Sequence, residues 1–395
     1  MVETTISPFS NPDYRDDPYP WFAQMRSESP AYRTTMPSGA VVYVVTRYAD
    51  VLAALKDERL VKDIANARPR QAREVKPATQ SMLKADPPEH TRLRSLAQAA
   101  FTPRVISQWR DHIEEITGSL IDAIAPRGRM DLINDFALPL PITVITEMLG
   151  VPAADQVKFH EWSSAVIASG VLNSEEPKDV PGYLPMAQYF YNLVAERRRS
   201  PQGDLVSRFI QAEEGGDRFS DGEVVATSVL LLIAGHETTV NLIGNGMLAL
   251  LQSPQQFEAF KQEPALIKPA IEELLRYVNP AQATNRYAAV DLEIGGVQIP
   301  RGSHVVLTFA AANHDPAFVA KPDHLDVTRG ETKHMAFGQG IHYCLGAPLA
   351  RLEGEIAFTR LIERFPNMRL ADPAQKLVWR PAFELRGLSA LPVVF

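Results

Sequence analysis

The chain is poor in cysteine and short of positive charge. Its 395 residues hold one cysteine, Cys344, which rules out an internal disulfide and a cysteine-built iron–sulfur cluster and fits a reducing compartment. Lys and Arg number 40 against 47 Asp and Glu, a net charge of −7, which argues against nucleic acid as a partner. No uninterrupted run reaches the ~18 apolar residues of a membrane span, and the stretch from Val229 to Ala234 is far too short. Met1 to Asp17 is polar and proline-rich, without the basic start and apolar centre of a secretion signal. A soluble, cytoplasmic protein without a membrane segment is the expectation. No Gly-x-Gly-x-x-Gly follows a strand pattern, and Gly244-Asn245-Gly246 falls inside a helical one, so no dinucleotide or flavin module is expected. No repeat recurs along the chain.

What is present is ample core material, with 45% hydrophobic residues. Periodicity predicts a mainly α chain with small β-sheets, organised as a single domain over 1–395. The helix-rich core spans about 87–280 and 345–365, and the β-rich parts lie near 31–48, 288–311 and 377–395. Val41 to Val45 are strand formers behind a Pro37-Ser38-Gly39 turn, a hairpin signal. The stretch from Val61 to Lys84 shows no clean period and reads as a long loop, and Gly170 to Pro185 reads as a mobile lid. Pro103–Ala123 and Leu132–Leu149 read as helices, the second interrupted by Pro139 and Pro141. The tail from Leu377 reads as a hairpin around Gly387.

The lone cysteine sits in Phe337-Gly338-Gln339-Gly340-Ile341-His342-Tyr343-Cys344-Leu345-Gly346. Glycine permits positive φ and close approach of backbone to a ligand. A helical pattern with Pro348 in its first turn follows at once. Cys344 therefore stands at a helix N-terminus, where free N–H groups and the helix dipole favour the thiolate. A thiolate without a partner sulfur is a single-sulfur metal ligand or a nucleophile; the plain alternative is a small buried hydrophobe.

The second unusual stretch lies in a long helical pattern. Ser220 followed by Glu223 is a capping box, and the pattern runs to about Gln252, roughly 45 Å at 1.5 Å per residue. Its apolar middle is interrupted by Ala234-Gly235-His236-Glu237-Thr238-Thr239. Glycine in a helix interior is unfavourable by about 1 kcal/mol, and an acid there is hard to bury unpaired. A zinc-peptidase His-Glu-x-x-His fails, since Val240 occupies the second histidine position. The ordinary reading is that Thr238 bonds back to a helix carbonyl and Glu237 is paired.

Together these stretches resemble the cytochrome P450 family, in order and over nearly the whole chain from Pro18. Phe-Gly-x-Gly-x-His-x-Cys-Leu-Gly resembles its haem-ligand loop, and the hexad resembles its oxygen-activating segment. The resemblance implies haem b between the long central helix and the Cys-loop helix, with Cys344 as the metal ligand. It implies space for dioxygen at Ala234 and Gly235, and proton relay by the catalytic pair Glu237 and Thr238, where the helix is expected to bulge. Carried over by position, His90, Arg94, Arg286 and His342 bind the haem propionates, and Phe337 packs on the sulfur side. Glu273, Arg276 and Arg329 form a structural triad. Met82, Leu83, Leu230, Ile233, Gln282, Thr284, Phe383 and Leu385 line the substrate pocket. One departure is Asn313-His314-Asp315-Pro316, where an Arg is more usual before Asp-Pro.

The implied activity is a haem-thiolate monooxygenase of secondary metabolism. It would insert one oxygen atom from O₂ into a medium-to-large apolar small molecule. Electrons would come from a separate ferredoxin or flavodoxin with its NAD(P)H reductase, docking on a monomer near Arg92, Arg104 and Arg351. A peroxide-driven enzyme and a haem-based gas sensor are the alternatives. Relatives of those kinds have no need of the Glu237-Thr238 pair.

Overall fold

The computed structural model describes residue 9 and residues 11–68, 81–168, 180–330, 332–380 and 383–395. It is mainly helical, with one five-stranded, one three-stranded and two two-stranded sheets among the described residues. Two compact units are present: one of Met1–Arg73, Lys268–Cys344 and Lys376–Ser389, the other of Glu74–Ile267, Leu345–Gln375 and Ala390–Phe395.

The first unit is built on the five-stranded sheet. Its strands lie in the order Ala31–Thr35, Val41–Val45, His304–Thr308, Ala283–Ala288, Leu60–Val61. The hairpin expected around Gly39 is present, with Ala31 opposite Val45 and Gly39 at φ +84. His304–Thr308 runs parallel to Val41–Val45 and antiparallel to Ala283–Ala288. Side chains alternate between faces. Val42, Val44 and Val306 pack with Phe22 and Met25 from the Tyr19–Glu28 helix. Val45, Val305 and Leu307 pack with Val51 and Leu55 from the Tyr48–Lys56 helix. Both faces are covered, so the central strands read as continuous valine runs rather than alternation.

The second unit is organised by the long helix, Asp221–Leu251, with the Ser220/Glu223 capping box in place. This helix is long and apolar enough to cross a membrane by length and composition, and 72% of its apolar window is buried inside the fold. It packs on Pro139–Met148, Tyr183–Arg199 and Ala347–Arg364. Gly244 faces Ile133 closely: a Cβ there would come within 2.3 Å of Ile133 Cδ1, and that side chain would have to move aside.

Several expected boundaries move. Pro103–Ala123 is two helices, Pro103–Ser107 and Arg110–Ile124. Leu132–Ala137 is a π-helical turn. The Leu138 N–H reaches back to the Ile133 carbonyl at 2.9 Å, and the α-helix restarts at Pro139, a residue without an N–H to give. Leu205–Gln211, the Glu213–Arg218 hairpin and Phe309–Asn313 are additional elements. Gly387 stands on the second arm of the tail hairpin rather than in its turn, because the Arg380 N–H donates to the Gly387 carbonyl and the Ser389 N–H to the Val378 carbonyl; residues 381–382 lie outside the described residues. Pro392–Val394 leaves that hairpin and pairs with Arg129–Asp131 and Arg369–Leu370. The long loop contains a short helix, Ile64–Ala67; its remainder at 69–80, and 169–179 of the lid, lie outside the described residues.

Candidate functional site

The Cys loop is pinned from behind before it reaches the sulfur. Met335 is fully buried, and its N–H donates to Asn313 Oδ1 at 2.7 Å. His334 accepts the Ala336 N–H on Nδ1 at 3.2 Å, which leaves Nε2 to donate to Glu272 at 3.0 Å. The chain then turns through Gly338 (φ +70) and Gly340 (φ +75). At Gly340 a Cβ would lie 2.7 Å from the Leu55 carbonyl oxygen, so this position admits only glycine. The Cys344 N–H donates to the Phe337 carbonyl at 2.9 Å, closing the loop. Cys344 itself is exposed and carries no disulfide, unlike the usual buried free cysteine.

Glu273, Arg276 and Arg329 are brought together. Arg276 grips the Glu273 carboxylate with two bonds of 2.7 and 2.8 Å, and both side chains are fully buried. Arg329 Nε adds a third at 3.1 Å, and the Asp326 N–H a fourth at the same distance. The remaining fork of Arg276 donates to the Asn313 and Pro322 carbonyls. A buried pair satisfied in this way is stable in place, whereas loss of one partner strands a charge. The departure at His314 also has an explanation. Its Nδ1 faces Asp323 at 2.8 Å, its Nε2 donates to the Tyr277 carbonyl at 2.9 Å, and its ring stacks on Tyr19.

In the second unit, the hexad lies in unbroken α-helix, so the expected bulge is absent. The Thr238 hydroxyl donates to the Ala234 carbonyl at 3.0 Å, which holds the regular ladder in place. Glu237 is buried, with His236 Nε2 3.9 Å away. His236 is fully buried; its Nδ1–H donates to the Leu232 carbonyl and its Nε2 accepts from Ser163 Oγ at 3.3 Å. That tautomer ties the Gln156–Ala168 helix to the long one. Along its middle the helix is buried except at Gly235 and at Leu230, Ala234 and Thr238. The last three recur at i, i+4 and i+8, a single stripe.

The other expected site residues belong to both units. His90 and Arg286 are buried and Arg94 half-buried; His342 and Phe337 are half-buried in the Cys loop. Arg286 donates to Thr284 Oγ1 at 3.2 Å, and Lys62 Nζ donates to the same hydroxyl at 2.7 Å. Met82 and Ile233 are buried, Leu83 and Leu385 half-buried. Gln282 is buried with its amide nitrogen unpartnered, a donor open to a ligand. Phe383 does not stand as a free wall. It packs against Phe9 and Tyr14, with ring centroids 4.9 and 6.4 Å away, as part of an aromatic core. Arg92 is not a free docking cation either, because Glu89 and Glu223 both bind its guanidinium.

One residue escaped sequence reasoning. Glu353, on the Ala347–Arg364 helix, is buried, and among the described residues neither carboxyl oxygen has a hydrogen-bond partner within normal distance. Burial pushes its pKa up from 4.5 to about 8, with the Thr239 hydroxyl drawing it slightly back. That hydroxyl reaches the Gly235 carbonyl at 3.5 Å, so it is a weak partner for the acid. A single Glu on a helix gives no sign of this in sequence.

An exposed thiol on a glycine-shaped loop is the donor set of a haem-thiolate protein, and in the second unit the long helix presents the small residues Ala234 and Gly235 at accessible positions. The residues therefore fit haem. Comparison with known proteins agrees: the cytochrome P450 family model matches residues 185–373. The chain is 39% identical over 411 residues to cytochrome P450 CYP107DY1 of Priestia megaterium, covering 100% of both. It is 43% identical to the vitamin D(3) 25-hydroxylase of Pseudonocardia autotrophica, covering 95% of this chain and 93% of that one. The structure of the bacillaene polyketide synthase cytochrome P450 PksS of Bacillus subtilis superposes with a TM-score of 0.91 at 39% identity, covering 99% of each chain. The chain belongs to the cytochrome P450 family, and is a P450 monooxygenase binding haem b through a cysteine thiolate.

Proposed function

We propose that Cys344 supplies the axial thiolate, and that the enzyme hydroxylates or epoxidises a medium-to-large apolar molecule of secondary metabolism. The observation that carries this is the accessible sulfur of the chain's only cysteine on a loop closed by its own N–H. Haem, when bound, supplies the activation of O₂ and the delivery of one oxygen atom.

The chain's own residues do the rest. The Glu273–Arg276–Arg329 network, with Asn313, holds the segment leading into the Cys loop rigid. Arg286, His90, Arg94 and His342 are the cations and donors for the propionates. Ala234 and Gly235 keep the open stripe free of bulk. The Thr238 hydroxyl, with its proton on the Ala234 carbonyl, keeps its lone pairs available to accept and orient a donor, and Glu237 stands beside it as the acid. Leu230, Ile233, Met82, Leu83 and Leu385 supply apolar wall, and the Gln282 amide a single polar handle. One relative is named a vitamin D(3) 25-hydroxylase and another a polyketide synthase cytochrome P450, which supports that substrate class. Electrons come from a separate ferredoxin or flavodoxin and its reductase; Arg104, exposed, and Arg351 remain the docking cations.

The test is turnover of a sterol and macrolide library with three supplies: NAD(P)H with surrogate redox partners, hydrogen peroxide alone, and neither. Oxygenated product with NAD(P)H and partners supports the reading. Product from peroxide only, or no spectral response to any compound, contradicts it.

A further inference from the structure

The first unit carries a cleft that the monooxygenase reading does not use. It has a volume of 480 Å³ and is lined by Arg33, Val41, Tyr43, Arg68, Arg301 and Ser303, among others. Arg33, Arg68 and Arg301 all line it, with no carboxylate among the described lining residues, in a chain whose net charge is −7. Mixed-sign surfaces are the rule for soluble domains, so this gathering of one sign stands out.

Two of the three arginines are held rather than loose, and Arg33 is exposed. Arg68 Nε donates to the Gly302 carbonyl at 2.6 Å, and Arg301 Nε donates to the Ala67 carbonyl at 3.2 Å. Each side chain is strapped to the backbone next to the other, and each strap uses the Nε–H of its guanidinium. Gly302 makes the strap possible: it sits at φ +80, and a Cβ there would press to 3.2 Å of Arg68 Cγ. The Arg301 N–H donates to Asp291 at 2.7 Å, fixing that end. Among the described residues, neither the Arg33 nor the Arg301 guanidinium has a carboxylate partner, and the Tyr43 and Ser303 hydroxyls make no side-chain hydrogen bond. The positive field reaches inward as well: His304, pushed down to about 4 chiefly by burial, is lowered further by Arg68.

We propose that this cleft binds a phosphate monoester dianion. Planar guanidinium forks match the oxygens of phosphate two at a time, and fixing them in advance lowers the entropy lost on binding. A carboxylate offers two oxygens and a single negative charge. A tetrahedral dianion can face several forks, with the two hydroxyls as further donors.

The experiment is isothermal titration calorimetry of the holoprotein at low salt with glycerol 3-phosphate, inorganic phosphate, glycerol and an acidic peptide. One site per chain is expected for glycerol 3-phosphate and none for glycerol. Arg301→Ala and Arg33→Ala should each weaken the binding about tenfold, the loss of one charge-assisted contact. Inorganic phosphate binding as tightly as the ester would assign the site to free phosphate, and a clear preference for the ester would assign it to an esterified ligand; either supports the dianion. The carbon monoxide spectrum of each variant shows whether the fold and haem are intact, and Arg301→Lys is the milder replacement if Arg301→Ala loses them. Absence of saturable binding, affinity unchanged in both alanine variants, or tighter and arginine-dependent binding of the acidic peptide would overturn the proposal.

Discussion

Glu353→Gln should make the protein's stability less sensitive to pH. Glu353 is buried, among the described residues neither of its oxygens has a hydrogen-bond partner within normal distance, and burial raises its pKa from 4.5 to about 8. Below pH 4.5 the acid is protonated in both folded and unfolded chains, and its full contribution to stability is present. Between 4.5 and about 8 the unfolded chain releases the proton and the folded chain keeps it. Native stability therefore falls by about 1.4 kcal/mol per pH unit across that window. At pH 7, this amounts to about 3 kcal/mol relative to acid conditions. Glutamine has the same shape and no proton to lose. Its amide adds a constant offset of about 1–3 kcal/mol if its hydrogens find no partner, but no slope. Urea unfolding of the two holoproteins at several pH values between 5.5 and 7.5 should show the variant gaining about 3 kcal/mol on the parent over that range. Parallel curves would mean that Glu353 ionises normally or has a buried base beside it, and the argument from desolvation would fail.

Gly340→Ala places a methyl 2.7 Å from the Leu55 carbonyl at φ +75; it should cost about 3 kcal/mol and lower haem retention, read by absorbance after gel filtration. Glu273→Ala strands the fully buried Arg276 and should cost about 3–5 kcal/mol, read as a lowered thermal midpoint and a haem-poor preparation. Thr238→Ala removes a hydroxyl from the open stripe without touching the packing. It should leave stability within about 0.5 kcal/mol while NAD(P)H consumption outruns product and peroxide accumulates; full coupling would remove Thr238 from proton handling.

Local signals carried the parts of the fold that depend on near neighbours. Ser220 and Glu223 lie three apart and marked a helix start that the structure keeps. The Val41–Val45 run with its Gly39 turn marked a hairpin. Glu273 and Arg276 share a helix face, and only the family resemblance added Arg329 to them. What stayed hidden depends on distant chain. Pro392–Val394 pairs with Arg129–Asp131, and no tail residue announces that partner. Arg92 looked like an available cation until Glu223, far along the chain, bound it. The regular helix at 234–239 shows the reverse error: the family resemblance suggested a bulge, and the Thr238 hydroxyl donates to the Ala234 carbonyl within an unbroken helix. Glu353 was invisible because burial, not residue type, makes it unusual.

The sulfur ligand is the claim on which the rest depends. The direct measurement is the absorption spectrum of the reduced protein under carbon monoxide, for the parent and for Cys344→Ala. The parent should show the strongly red-shifted Soret band of a thiolate-bound haem, and the variant should lack it. A variant that keeps the band, or a parent that binds no haem, would contradict the account.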